Sequence, residues 1–210
     1  MKTLAEEVEK LKRWEAAYYA GTPLISDAMF DSERDLIIER IQKEDPTNPY
    51  LESVGAPLPD GGNWPKFTHT SVMGSLFKAN TQEELKKWCS TRGKEFFLAE
   101  KADGWTLAAY YEKGKLKTLA TRGDGTVGED VTPNAKYFKN IKTSLPDSFT
   151  GIIRGEGIIH LDDFEKHFAP LNYSNPRNAT GKVRDTKNPE LKSHIVIKWF
   201  DVITNQEFKT

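Results

Sequence analysis

The chain has 210 residues, of which 37% are hydrophobic and 29% charged, and its formal net charge is −1. This length allows one large domain, or one domain with a small helical companion. The one cysteine, Cys89, excludes an internal disulfide and a cysteine-based zinc site within this chain. No apolar run approaches the ~20 residues of a membrane helix, so we expect a cytoplasmic protein without a membrane partner.

Two helices are predicted near the N-terminus. Apolar residues recur at helical spacing over 3–19, and Ser26 is a typical N-cap for a second helix that starts at Asp27 and ends near Lys43. The stretch 46–65, rich in proline, glycine and asparagine, predicts a loop with a domain boundary near its end. The predicted division is a helical domain at 1–65 and a second domain at 66–210.

The pattern changes in the second part of the chain. Thr81 begins a capping box that opens a helix to about Thr91, and strands follow. The predicted strands are 96–99, 105–111, 116–121, 152–159 and 195–202, with a short helix at 162–171. Strands interleaved with short helices indicate an α+β fold with an antiparallel sheet.

Lys101 is the candidate nucleophile. It follows the apolar run 96–99 and precedes Asp103 and a glycine, which predicts a lysine at the end of a buried strand. A lysine amine becomes nucleophilic when desolvation or neighbouring cations favour its neutral form. The candidate cations are Arg122, Arg177 and Arg184. The alternative from the residues alone is a strand-end lysine paired with Asp103 for solubility.

Three further segments carry candidate binding groups. Arg122 lies in the glycine-rich stretch 121–130, where a backbone can approach a ligand closely. Glu156 lies within the predicted strand 152–159, and a carboxylate there can accept hydrogen bonds from ribose hydroxyls. Arg177 and Arg184 lie about two helical turns apart, on a similar face. The plainer alternatives are a surface hairpin and a strand glutamate that faces water.

The second helix carries an acidic and aromatic face. Asp27 and Asp31 are four residues apart with Phe30 between them. Two acids and an aromatic ring suit a cationic ring that bears ribose hydroxyls. The alternative is a solvated acidic face.

The segments 100–104, 121–130, 153–156 and 175–179, in this order, resemble the adenylation domain of NAD-dependent DNA ligases. The resemblance covers nearly the whole chain and includes the N-terminal helices. It implies a small N-terminal helical, nicotinamide-binding subdomain followed by a nucleotidyltransferase (ATP-grasp-like) domain with an antiparallel sheet. The residues matching the catalytic motif are Lys101 and Asp103.

The resemblance also implies the chemistry. Lys101 attacks the α-phosphorus of NAD, forms lysyl-AMP and releases nicotinamide mononucleotide, with Mg²⁺ present, for later sealing of nicked double-stranded DNA in replication and repair. The implied cofactor-binding residues are Tyr18, Tyr19, Asp27, Phe30, Asp31, Ser75, Leu76, Glu100, Arg122, Glu156, Arg177 and Arg184. We expect no metal site built from protein residues, because His160, His167 and His194 show no metal-ligand spacing.

The chain departs from the family pattern at several positions. Ala99 stands where the family has its adenine-reading glutamate, and strand alternation predicts that Glu100 points to the opposite face. Phe30 replaces a tyrosine. The spacing that leads to Arg184 is one residue short.

The sequence reaches Thr210 before two further lysine motifs of the family. We therefore expect a second polypeptide or a C-terminal region to supply them, and the domain to be incomplete at its C-terminus. A non-catalytic NAD-binding or assembly subunit of a split ligase stays open as an alternative. An ATP- or GTP-using relative is disfavoured by the segment 18–31 and the Arg122 loop. The net charge gives no indication about DNA binding, because phosphate contacts usually need an excess of Lys and Arg.

Overall fold

The computed structural model describes residues 3–19, 23–51, 64–74 and 79–205, without the side chains of Tyr19, Asp27 and Ala28. The helices are α1 (Leu4–Tyr19), α2 (Asp27–Glu44), α3 (Gln82–Arg92), α4 (Leu161–His167), α5 (Pro176–Asp185) and α6 (Pro189–Lys192). The strands are β1 (Lys66–Thr68), β2 (Trp105–Glu112), β3 (Lys115–Thr121), β4 (Val127–Glu129), β5 (Gly151–Ile158) and β6 (Val196–Ile203). This mixture of helices and antiparallel strands confirms the predicted α+β class.

The two N-terminal helices pack on each other through an apolar seam of their own. Leu11 and Ile41 are fully buried there, and Tyr50 covers one end of the seam. The Ser26 hydroxyl accepts a hydrogen bond from the Met29 N–H at 3.4 Å, which confirms the predicted N-cap. Among the described residues, no helix is both long and apolar enough to cross a membrane.

Four strands form the main sheet in the order β3–β2–β5–β6, and every neighbouring pair is antiparallel. The β2–β3 connection is a two-residue turn, in which Lys113 and Gly114 have φ angles of 48° and 71°. Positive φ at both positions is the geometry that matches the twist of a hairpin. β1 and β4 form a separate two-stranded sheet that the sequence did not predict.

The main core lies on one face of the four-stranded sheet. Leu107 and Leu119 are fully buried there, together with Val183 of α5. Residues that alternate with Leu107 along β2 point to the opposite face. That second face carries a smaller buried cluster of Met73, Ala108 and Ile152, and it is the face on which the polar residues described below lie.

The predicted buried strand at 96–99 is wrong. The structure has no strand over 93–103, and the side chains of Phe97 and Leu98 are 99% and 97% exposed. A strand needs a neighbour to bond its N–H and C=O groups, and within the described ranges none pairs with this segment. Lys101 therefore does not end a buried strand, and the alternation argument about Glu100 does not apply.

The predicted helix at 162–171 is divided in two. α4 ends at His167, a single 3-10 turn spans Ala169–Leu171, and Asn172 ends that turn with a φ of 60°. The buried Phe168 lies between the two pieces. The break places His167 at the C-terminal end of α4, facing the chain that enters β6.

Candidate active site

Lys101 lies in an exposed connection that leads into β2. Its charge acts on the carboxylate of Glu156 on β5, as does the charge of Arg177 on α5. Both cations lower the pKa of Glu156, while burial, the largest influence, raises it above its ordinary value. The structure therefore brings three of the predicted site residues together from three separate parts of the chain.

Glu156 is held in place by Gly104, just before β2, and by Thr106 on β2. Its Oε1 accepts a hydrogen bond from the Gly104 N–H at 3.2 Å, and the Thr106 side chain hydrogen-bonds to the same carboxylate. A Cβ at Gly104 would lie 2.1 Å from the Gly157 carbonyl oxygen, so this close approach requires glycine. The motif glycine thus allows the Lys101 connection to pass directly over β5.

Arg177 joins two predicted site residues. Its guanidinium donates a hydrogen bond to Asp103 at 2.9 Å, and it lies 5.2 Å from the centre of the Tyr18 ring on α1. Asn175 caps α5, accepting a hydrogen bond from the Asn178 N–H at 2.7 Å, and Pro176 occupies the first turn. This cap fixes the start of the helix and hence the position of Arg177.

A cleft opens beside this pair of charges. Its volume is about 620 Å³, and it is lined by Asp103, by the segment 158–162 and by the segment 175–177. Clefts of this size are typical of small-molecule sites. The lining joins the end of β5 to the starts of α4 and α5.

Arg122 lies at the far side of the same sheet face. Its backbone N–H bonds to the Thr106 carbonyl at 3.0 Å, and its side-chain Nε donates to the Met73 carbonyl at 3.2 Å. Across the sheet, Thr106 is opposite Glu156 and Glu156 is opposite Lys198. Residues directly opposite each other share a face, so a polar row crosses the sheet from Arg122 to Lys198.

His69 supports the Arg122 end of this row. Burial lowers its pKa, which favours the neutral ring. Its Nε2 donates to the Thr121 and Arg122 carbonyls at 3.0 and 3.2 Å, and its Nδ1 accepts from the Tyr110 hydroxyl at 2.7 Å. A Cβ on Gly128 would lie 1.9 Å from the Thr121 carbonyl, so the glycine-rich stretch closes tightly on this histidine.

Arg184 is not brought to the Lys101 group. It forms ion pairs with Glu129 at 3.0 Å and with Asp185 at 2.8 Å, and its guanidinium lies 5.8 Å from the Trp105 ring centre. Arg177 and Arg184 are seven residues apart, which separates them by about 10 Å along the helix axis. Although the two side chains point in a similar direction, they are therefore too far apart to contact the same charged group.

The remaining predicted residues divide into three groups. Phe30 is partly buried and packs edge-to-face on Trp14 with ring centres 6.5 Å apart, whereas Asp31 and Glu100 are exposed. The side chains of Tyr19 and Asp27 lie outside the described part of the structure. Ser75 and Leu76 lie outside the described residues altogether.

The sequence analysis did not predict two groups of residues that the structure brings together. Thr106 and Lys198 join the polar row only through strand register, which no local pattern specifies. Asp163, His167 and His194 lie together, with ligand-type atoms within 4.8 Å of one another. A partial signal existed, because Asp163 and His167 are four residues apart in a helix and therefore share a face.

Comparison with known proteins identifies a family that matches most of the chain. The family model for the NAD-dependent DNA ligase adenylation domain matches residues 62–208. A DNA ligase of a Nitratiruptor species is 38% identical over 83% of the chain, and one of Sorangium cellulosum is 30% identical over 99%.

The aligned regions cover 29% and 34% of those two relatives, so the chain spans about a third of the length of the proteins it matches. The family match itself extends over more than half of the chain and includes Lys101, Arg122, Glu156 and Arg177. The chain belongs to the NAD-dependent DNA ligase adenylation domain family.

Proposed function

We propose that this chain carries out the adenylation step of an NAD-dependent DNA ligase, with Lys101 as the nucleophile. The observation that carries the proposal is that the connection holding Lys101 meets both partners: Asp103 pairs with Arg177 at 2.9 Å, and the Gly104 N–H bonds to the half-buried Glu156 carboxylate at 3.2 Å. The neutral Nζ of Lys101 forms a bond to the α-phosphorus of NAD. The bond from that phosphorus to the oxygen of nicotinamide mononucleotide breaks, the mononucleotide leaves with the bonding electron pair, and the amine releases a proton to solvent water.

Each neighbour has a role in this step. Arg177, at the start of α5 and on the cleft, neutralises charge on the phosphate, since a guanidinium binds phosphate oxygens bidentately. Glu156 accepts hydrogen bonds from ribose hydroxyls. Arg122 lies at the other end of the polar row and contacts the phosphate or the nicotinamide side.

Magnesium fits one group in the cleft. Mg²⁺ is usually bound through one or two carboxylates together with substrate phosphates. The Asp103 side chain is 65% exposed beside the cleft, so it can offer an oxygen while it keeps its ion pair with Arg177. Mg²⁺ would there reduce the negative charge of the substrate phosphates.

The helical pair, which we assign to a subdomain at 1–65, binds the nicotinamide half of NAD. The contact between Tyr18 and Arg177 supports this assignment, because it brings α1 to the edge of the cleft. Asp31 is exposed on α2 and is the acidic group that we propose for the nicotinamide ribose or ring. Phe30 contributes by fixing α2 against Trp14.

Sealing of nicked DNA, in the cytoplasm, requires a further region of the ligase, from a second polypeptide or a C-terminal segment. Two observations support this. The relatives are about three times as long as the aligned chain. The apolar side chains of Phe97 and Leu98, next to Lys101, are almost fully exposed, which suits a strand that pairs with an added segment.

The test is a self-adenylation assay. The chain is incubated with NAD and magnesium, alone and with the part of the Nitratiruptor relative that follows the matched region, and intact mass and peptide mapping locate any AMP. We expect an adduct on Lys101 from NAD in the mixture, and weak NAD binding with little adduct from the chain alone. An equal adduct from ATP would contradict the NAD assignment.

A second candidate function, a non-catalytic NAD-binding or assembly subunit of a split ligase, is favoured by the exposure of Lys101 outside regular structure. The same assay separates the two. NAD binding without an AMP adduct in the mixture would support the assembly role. The control is Lys94→Ala, which removes an exposed lysine from the same connection and should leave the adduct unchanged.

A further inference from the structure

Two histidines and one aspartate lie close together between α4 and the start of β6. The adenylation proposal assigns no role to any of the three. Asp163 and His167 lie one helical turn apart on α4, and His194 lies two residues before β6. The imidazole rings of His167 and His194 are 4.3 Å apart between centres and are tilted by 32°. The three ligand-type atoms all lie within 4.8 Å of one another.

The spacing of one pair already matches metal ligands. Asp163 Oδ2 and His194 Nδ1 are 3.3 Å apart. Two ligands of a tetrahedral ion with bonds of about 2.0–2.1 Å lie roughly 3.3 Å apart. His167 offers a ring nitrogen within 4.8 Å of both of these atoms.

The Nδ1 atom of His194 lies against Asp163. It is buried and is 3.3 Å from Asp163 Oδ2, at ion-pair distance but without regular hydrogen-bond geometry. A buried nitrogen without a regular hydrogen bond is uncommon in a folded protein. Phe168 packs on the His194 ring at 5.5 Å and a right angle, which holds the ring in its orientation.

We propose that Asp163, His167 and His194 bind one divalent transition-metal ion, and that zinc is the ion that fits this set best. Two imidazoles and a carboxylate are typical zinc ligands, and a water molecule completes the tetrahedron. The ion links α4 to the chain entering β6. Because the first residues of α4 line the cleft beside Asp103, the ion also fixes one wall of that cleft.

One neighbouring positive charge opposes zinc binding, so its removal tests whether the zinc affinity changes in the expected direction. Lys139 lies close enough to the Asp163 carboxylate to interact with it electrostatically. Its ammonium repels a metal cation at the same site. Lys139→Met should therefore raise the zinc affinity, whereas loss of any ligand should lower it.

The experiment titrates the metal-free 210-residue chain with zinc chloride in competition with a chromophoric chelator. We expect one bound zinc per chain, with an affinity at least about tenfold lower in His167→Gln and in His194→Gln, because even outer partners of metal ligands contribute roughly ten- to a hundredfold. Cobalt in place of zinc should give the visible bands of a tetrahedral nitrogen–oxygen site.

Two control variants keep the result specific. His160→Gln removes an exposed histidine just before α4, and Cys89→Ser removes the one thiol; both should bind zinc like the unaltered chain. Zinc should raise the Tm of the unaltered chain by mass action, but not that of the double variant His167→Gln, His194→Gln. Equal zinc affinity in the unaltered chain and the double variant, or no zinc binding in either, overturns the proposal.

Discussion

The two sides of the candidate active site are built in different ways. Glu156 lies within an antiparallel sheet, with β2 on one side and β6 on the other, and its carboxylate is held by Gly104 and Thr106. Lys101 lies in an exposed connection outside regular secondary structure, close to two apolar side chains that face solvent. The Glu156 side is thus supported by the fold on both flanks, whereas no described strand supports the Lys101 side.

This difference assigns separate physical tasks to the two sides. A ladder of backbone hydrogen bonds fixes a side chain before the substrate arrives, which lowers the entropy cost of binding. A lysine on an unsupported segment must be ordered during the reaction, by substrate or by an added strand. We therefore expect substitutions near Lys101 to affect chemistry alone, and substitutions around Glu156 to affect stability as well.

The largest effect is expected for Lys101→Ala. The AMP adduct should be lost in the mixture with the Nitratiruptor segment, because Lys101 is the one lysine in the 100–104 motif. The free energy of unfolding should change by less than about 0.5 kcal/mol, since the side chain is exposed. Intact mass and urea unfolding measure the two quantities.

Two results for Lys101→Ala would contradict the proposed role of this residue. An adduct that persists at full yield on another residue would remove Lys101 from its role. A loss of adduct accompanied by unfolding would mean that Lys101 supports the fold. Lys94→Ala serves again as the matched control, with an exposed lysine removed from the same connection.

The same substitution at two leucines sharpens the comparison. Leu107→Ala in β2 should lower the free energy of unfolding by about 2–5 kcal/mol, because the side chain is fully buried and leaves a cavity. Leu98→Ala should change it by less than about 0.5 kcal/mol, because that side chain is 97% exposed. A large loss of stability from Leu98→Ala in the isolated chain would show that the connection packs in solution.

Local signals account for the parts of the fold that the sequence predicted. Ser26 and Thr81 cap α2 and α3 with their own side chains, so each helix start was readable from a few neighbouring residues. The strands β2 and β3 were predicted in the same way, from two strand-like runs that flank Gly114. None of these features depends on a distant part of the chain.

The features of the fold that were predicted wrongly or not at all depend on residues distant in the sequence. The run 96–99 has a strand-like composition, but composition does not reveal whether a neighbouring strand exists. β1 and β4 are three residues each and exist only because they pair with one another. The pairing of Asp103 with Arg177, 74 residues later, could be predicted as a shared site from the family resemblance, but not as a contact.

His69→Ala tests the support of the Arg122 end of the sheet. We expect a loss of about 1–3 kcal/mol in the free energy of unfolding, because the Thr121 and Arg122 carbonyls and the Tyr110 hydroxyl lose their partner. The variant should also lose a pH dependence. Burial lowers the pKa of His69 below 6.5, so the unfolded chain takes up the proton first as the pH falls below that value.

Stability of the unaltered chain should accordingly decrease from about pH 7 to about pH 5.5 by a component that His69→Ala lacks. Urea unfolding at a series of pH values measures it. His160→Ala is the matched control, because that histidine is exposed and should leave both stability and slope unchanged. An identical pH slope in all three proteins would mean that folding does not lower the pKa of His69.

The finest test of the comparison is Glu156→Gln, for which we expect a small gain in stability. Burial raises the pKa of Glu156 above 4.5, so the charged carboxylate costs folding free energy at neutral pH. The neutral amide should therefore increase the free energy of unfolding at about pH 7 by less than about 1 kcal/mol. The gain should shrink as the pH falls towards 4.5, where the unfolded chain also binds the proton.

Adenylation of Lys101 should nevertheless weaken in Glu156→Gln, because the amide accepts fewer hydrogen bonds from ribose hydroxyls. Glu112→Gln, an exposed glutamate at the end of β2, is the control for both readouts. A loss of stability at neutral pH would instead show that the bonds from Gly104 and Thr106 outweigh the cost of burial, and that this side of the site is built for stability rather than for the substrate.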